Sequence, residues 1–79
     1  MNEEISLAPI DRLIVITLKS RGKPLSTYEL AKETKISWST ANTHCYKLKS
    51  VGLVDRRSVR SHFGQKKVFW SLIEESAKD

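Results

Sequence analysis

The stretch STYELAKETKISWSTANTHCYKLKS, residues 26–50, decides the fold. Its opening, Ser26-Thr27-Tyr28-Glu29, sets a hydroxyl three residues before a carboxylate. In a capping box of this spacing the hydroxyl accepts from the third helical amide, and the carboxylate reaches back to the amide of the cap. A short helix is therefore predicted from Thr27 to about Glu33. Lys35-Ile36 breaks it, Ser37 is suited to cap a second helix, and Gly52 is suited to the left-handed position after that helix ends. The two helices are thus separated by a turn of about three residues.

Two helices joined this tightly make a helix-turn-helix, whose second helix can present its N-terminal half to the major groove of DNA. Wound at 100° per residue, Trp38, Ala41, His44, Cys45 and Leu48 form one stripe, with Trp38 at its edge. Ser39, Asn42, Thr43, Tyr46, Lys47 and Ser50 occupy the opposite face, which contains no acid. Asn can pair bidentately with an adenine edge, Ser and Thr can take base edges or phosphates, and Tyr and Lys suit phosphates. A merely solvated face commonly mixes in Glu, so the pattern favours DNA contact.

Upstream, Pro9 to Ser20 reads as a helix with Pro in its first turn and a stop at Ser20-Arg21-Gly22. Its apolar set, Ile10, Leu13, Ile14, Val15, Ile16 and Leu18, wraps more than one face. Such a helix is expected either to lie centrally in the fold or to contribute to a dimer interface. Downstream, Leu53 to Arg60 and Lys66 to Ile73 concentrate Val, Phe, Trp, Leu and Ile, as in two strands joined by a loop at Ser61 to Gln65. Arg56, Arg57, Arg60, His62, Gln65, Lys66 and Lys67 cluster around that hairpin. A basic hairpin can lie along phosphates or place an Arg in a narrow minor groove.

The whole chain has 79 residues and a formal charge of +5, which sits unevenly. Residues 19–67 carry twelve bases against three acids, for +9, and each end carries −2. A basic centre between acidic ends is the pattern of a polyanion binder. This length accommodates one domain, expected over 1–79 with an N-terminal arm at 1–8 and a C-terminal tail at 74–79. The longest apolar run, Leu13 to Ile16, is too short to span a bilayer, and Glu3 and Glu4 stand where a leader would be basic. No membrane is therefore expected as a partner, and an intracellular, cytoplasmic, nucleoid-associated location is. The lone Cys45 can form no internal disulfide and falls on the apolar stripe, where it reads as a small core residue. With His44 and His62 far apart, no metal set is expected, and no cofactor. No nucleophile, carboxylate pair or phosphate-cradling loop at catalytic spacing is visible, so no enzyme is expected.

From about Pro24 through Glu75 the chain resembles the winged helix-turn-helix regulators of the MarR, ArsR and PadR type. Leu25-Ser26-Thr27-Tyr28-Glu29-Leu30-Ala31 is similar to the entry into their first motif helix. Ile36-Ser37-Trp38-Ser39-Thr40-Ala41 is similar to their turn and recognition-helix start. Lys47 through Val54, with its Gly-Leu-Val, is similar to the opening of the wing, and Lys66 through Leu72 to its returning strand. The resemblance implies an α+β fold, a three-helix core followed by a two-stranded β-hairpin wing. It also implies a transcriptional regulator binding double-stranded DNA as a homodimer. The implied contacts are Trp38, Ser39, Asn42, Thr43, Tyr46 and Lys47 on the helix 38–50 in the major groove. Arg56, Arg57, Arg60, His62, Gln65, Lys66 and Lys67, on the wing 56–67, would then meet the backbone or minor groove.

Two departures stand out. Lys35 occupies a turn position where these regulators usually carry Gly, so a local difference in the turn is expected. The sequence also stops just after Glu74-Glu75, where many relatives begin a dimerisation helix, so pairing is expected through the apolar helix 9–20 or the arm. Two other readings compete. Asn42, Tyr46 and Trp70 resemble the residues by which winged-helix Z-DNA-binding domains meet the zigzag backbone, although their Pro-Pro pair is missing and Trp38 replaces a Lys. Alternatively, the apolar first helix or exposed aromatics could make the chain a protein-interaction module.

Overall fold

A computed structural model describes residues 7–73. Residues 1–6 of the expected arm and the whole expected tail, 74–79, lie outside the described residues. The elements run α1 (Pro9–Arg21), β1 (Leu25–Ser26), α2 (Thr27–Thr34), α3 (Trp38–Ser50), β2 (Val54–Arg60) and β3 (Lys66–Leu72).

Local chemistry sets these boundaries. The Ser26–Glu29 capping box forms as the spacing implies: the Glu29 amide donates to Ser26 Oγ at 3.1 Å, and the Ser26 amide donates to Glu29 Oε1 at 2.9 Å. The backbone hydrogen bond from Ser26 holds the Glu29 carboxyl below its ordinary pKa, against the opposing effect of its partial burial. Ser37 caps α3 by accepting from the Thr40 amide at 3.1 Å. The turn between α2 and α3 closes with Lys35 at φ 59°, and the Ile36 amide donates to the Ala31 carbonyl at 3.1 Å. The left-handed geometry of a glycine turn is therefore kept with a lysine in it, a conformation that strains a residue bearing a Cβ.

The sheet has three strands in the order β1-β3-β2, all antiparallel. The two-stranded wing expected from the sequence is the β2–β3 hairpin. The added strand is two residues long, with Leu25 opposite Trp70 and Ser26 opposite Phe69. It ties the start of α2 to the last strand.

The core consists of Ile14, Leu18, Leu25, Leu30, Cys45, Leu48, Val54 and Trp70. Trp70, the largest of them, is fully enclosed, and its indole N–H donates to Thr27 Oγ1 at 2.8 Å. A buried Trp generally needs such a partner. Burial pushes the Cys45 thiol up to about 12, in keeping with its place on the apolar stripe. The α1 helix buries one side only: Ile14 and Leu18 face the core, while Leu13 is 40% and Ile16 61% exposed.

Candidate nucleic-acid interface

The surface face of α3 carries Trp38, Ser39, Thr43, Tyr46 and Lys47, all exposed, with Asn42 half-buried among them. Trp38, at the edge of the apolar stripe, is 54% exposed, whereas Trp70 is wholly interior. Tyr46 stands edge-on to Trp70, with ring centroids 5.0 Å apart at 84°. From the root of the wing, the Arg56 guanidinium approaches the Tyr46 ring to 5.9 Å from its centroid. The Arg56 Nε is shielded from water and meets no hydrogen-bond partner among the described residues. A chain of aromatic contacts, enclosed at Trp70 and open to solvent at Tyr46, thus joins α3 to the wing, with a cationic plane at its outer end.

Lys47 is placed differently from the other cations. Its Nζ donates to Asp11 Oδ2 at 2.6 Å, and His44 Nδ1 donates to the other oxygen, Oδ1, at 2.6 Å. The Ala8 amide also donates to Asp11 Oδ2, at 2.8 Å, which closes the first turn of α1. Asp11 is completely buried. Burial alone would raise its pKa, but the hydrogen bonds from Lys47, His44 and Ala8, with the charge of Lys47, outweigh it and hold the carboxyl below its ordinary value. One carboxylate therefore pins α1 to α3 and balances the Lys47 charge from beneath. The α3 face itself is free of acid, as its sequence implies; the acid that meets it comes from α1. Sequence reasoning passed over Asp11, although its place at the third position of a helix beginning with Pro9 was a capping signal.

The wing basics fall into two sets. The pleat sends Arg56, Ser58 and Arg60, with their partners Trp70, Val68 and Lys66, to the side that packs on α3. Arg57 and Val59, opposite Phe69 and Lys67, go to the other side, where Lys67 Nζ sits 5.9 Å from the Phe69 ring centroid. The expected wing residues are thus not one patch: Arg56, Arg60 and Lys66 share a side with α3, while Arg57 and Lys67 do not. His62 and Gln65 lie in the exposed tip between the strands. Among the described residues, the carboxylates in ion pairs are Glu33, with Arg21, and Asp11, so no wing cation is held in an ion pair there, and the one acid on the wing strands, Asp55, accepts from the Arg56 amide. No group of three or more metal-ligating side chains gathers among the described residues, and no helix there is long and apolar enough to cross a membrane.

No family model and no curated protein matches the chain. Solved structures do. A possible transcriptional regulator from Methanosarcina mazei is 17% identical over 87% of this chain and 58% of its own, with a TM-score of 0.78. ZitR of Lactococcus lactis, a zinc-responsive MarR family member, is 23% identical over 94% of this chain and 49% of its own, at 0.72. The same protein in complex with DNA gives 0.68. The Zα domain of Carassius auratus PKZ, in complex with Z-DNA, is 25% identical over 81% of this chain and 92% of its own, at 0.66. The chain spans about half to six tenths of the two regulators. In architecture, then, it has the winged helix-turn-helix fold of the MarR-type regulators.

Proposed function

We propose that this chain is a sequence-specific transcriptional regulator of double-stranded DNA, with no enzymatic role. In this reading α3, residues 38–50, enters the major groove, and the wing, 56–67, follows the backbone and minor groove. The observation that carries it is the meeting of α3 with the root of the wing, where Tyr46 stands beside Arg56, while the pleat sends Arg60 and Lys66 to the same side of the sheet and no wing cation pairs with a carboxylate among the described residues. Hydrogen-bonding groups on a helix flanked by unneutralised cations suit base edges between phosphates. The DNA complex of ZitR, which shares the fold, supports the same reading. A homodimer formed through α1 fits the exposure of Leu13 and Ile16, and such a regulator would work at the nucleoid in the cytoplasm.

The test is fluorescence anisotropy of a labelled duplex over a salt series from about 50 to 200 mM, where phosphate contacts show as a steep fall in affinity. On a selected site Asn42→Ala should cost about 1–3 kcal/mol and relax sequence preference, while Lys66→Ala should weaken all sequences alike. Equal losses for Asn42→Ala on selected and random DNA would remove its base-reading role. Absence of binding at the lowest salt would leave the protein-interaction module.

A second reading has one observation of its own. The edge-on pair of Tyr46 and Trp70, with Asn42 one turn earlier, resembles the constellation of Z-DNA-binding domains, and the Zα domain shares the fold. Against it, the Trp70 ring is fully enclosed and its N–H already serves Thr27, so that ring supports Tyr46 and cannot itself meet a phosphate. Inversion of the circular dichroism spectrum of an alternating CG duplex on adding the protein would favour this second reading; an unchanged B-form spectrum with tight binding would favour the first.

A further inference from the structure

The wing tip carries a residue that neither reading uses. Phe63 is 90% exposed, so its ring does almost nothing for the folded core. Yet the backbone beneath it is closed by four hydrogen bonds. The Ser61 amide donates to the Gln65 carbonyl at 2.8 Å and the Gly64 amide to the Ser61 carbonyl at 3.0 Å. Ser61 Oγ accepts from the amides of Phe63 at 3.3 Å and Gln65 at 3.2 Å. Gly64, at φ 82°, supplies the left-handed residue that this closure requires. The tip is a tied turn with an apolar ring at its apex.

The charges around that ring narrow what it can meet. Arg60 and Lys66 stand directly opposite each other across the strands, and His62 adjoins Phe63. Like charges in direct cross-strand register are destabilising unless an anion separates them, and no carboxylate among the described residues does so. An apolar protein surface docking here would have to strip water from both cations without replacing it. A duplex offers phosphates for the cations and π-faces for the ring at the same time.

We propose that Phe63 is a stacking wedge: with the wing on duplex DNA, its ring presses between the bases of an easily unstacked pyrimidine–purine step, while Arg60 and Lys66 hold the flanking phosphates. The inference rests on the DNA-binding reading and adds to it a contact that senses how readily a step opens.

The experiment uses the full chain and a mixed-sequence duplex in which the adenines of its TA steps are replaced by 2-aminopurine, whose fluorescence rises when it unstacks. Affinity is followed by anisotropy of an end label across the same salt series. Wild type should raise the 2-aminopurine signal on binding. Phe63→Ala should bind about tenfold more weakly, the scale of one lost aromatic–base stack, and should abolish the rise. Its salt slope should not change, because the ring carries no charge. Phe63→Trp should restore both affinity and signal. Because the ring is almost wholly in solvent, all three proteins should melt alike. Wild-type affinity for Phe63→Ala, or a bound wild type with no fluorescence rise, would overturn the wedge and leave DNA binding intact. Failure of wild type to bind even at about 50 mM salt would overturn the DNA-binding reading, and the wedge with it.

Discussion

Helix α3 and the wing both present cations, but the two regions balance them in opposite ways. Lys47 on α3 is held from beneath by a buried carboxylate that also anchors α1. Arg60 and Lys66 on the wing face each other with no acid among the described residues to separate them. The helix therefore keeps a fixed geometry at low electrostatic cost, whereas the wing holds cations that no ion pair among the described residues balances. On this contrast the wing should dominate the salt dependence of binding, and the helix should dominate the choice of sequence.

Mutations test this division of roles. Trp70 joins the regions, so Trp70→Ala should cost about 3–5 kcal/mol in urea unfolding and bring down helix and wing in one transition. Two separated transitions would show that they are independent units. Asp11→Asn removes the anchor of the helix side and should cost about 2 kcal/mol, since Lys47 can partly rehydrate once its partner is gone. Asp11 has a lowered folded-state pKa, so the stability it supplies is complete above its unfolded value of about 3.9 and drains as pH falls through the lower folded value. Acid titration of the wild-type melting curve should show that loss, and the Asp11→Asn curve should fall less, keeping the share that Glu29 contributes.

On the wing, the double variant Arg60→Ala/Lys66→Ala should lower the salt slope of DNA binding by about 2, one for each phosphate contact. Lys47→Ala should lower it by less than Lys66→Ala does, because part of its charge is already balanced by Asp11. Equal slopes for these two single variants would dissolve the contrast. The smallest effect belongs to the turn: Lys35→Gly relieves a strained left-handed residue but frees the unfolded chain, for a net gain of about 0.5 kcal/mol by chemical denaturation.

Features governed by neighbours in the chain were legible in the sequence. The Ser26–Glu29 box, the Ser37 cap and the exposed face of α3 follow from spacings of three and four, and the structure shows them where those spacings put them. The capping role of Asp11 was readable from its place in the first turn of α1, but its contacts with His44 and Lys47, 33 and 36 residues away, were not, because they exist only once α1 crosses α3. Strand β1 escaped for a related reason: Leu25 and Ser26 are too few to show an alternation, and they become a strand through pairing with Trp70 and Phe69. The division of wing charge between two faces was written in the period-2 pattern of both strands, but counting bases along the chain merges what the pleat separates.

Among the described residues, β3 is paired on both sides, while the outer edge of β2 pairs with nothing. An open edge with apolar residues invites strands from other copies, and Val59 is exposed there. Arg56, Arg57 and Arg60 along the same strand make a second copy an electrostatically poor neighbour, so the charge that would suit the wing to a polyanion should also oppose the growth of these molecules into a continuous sheet with one another.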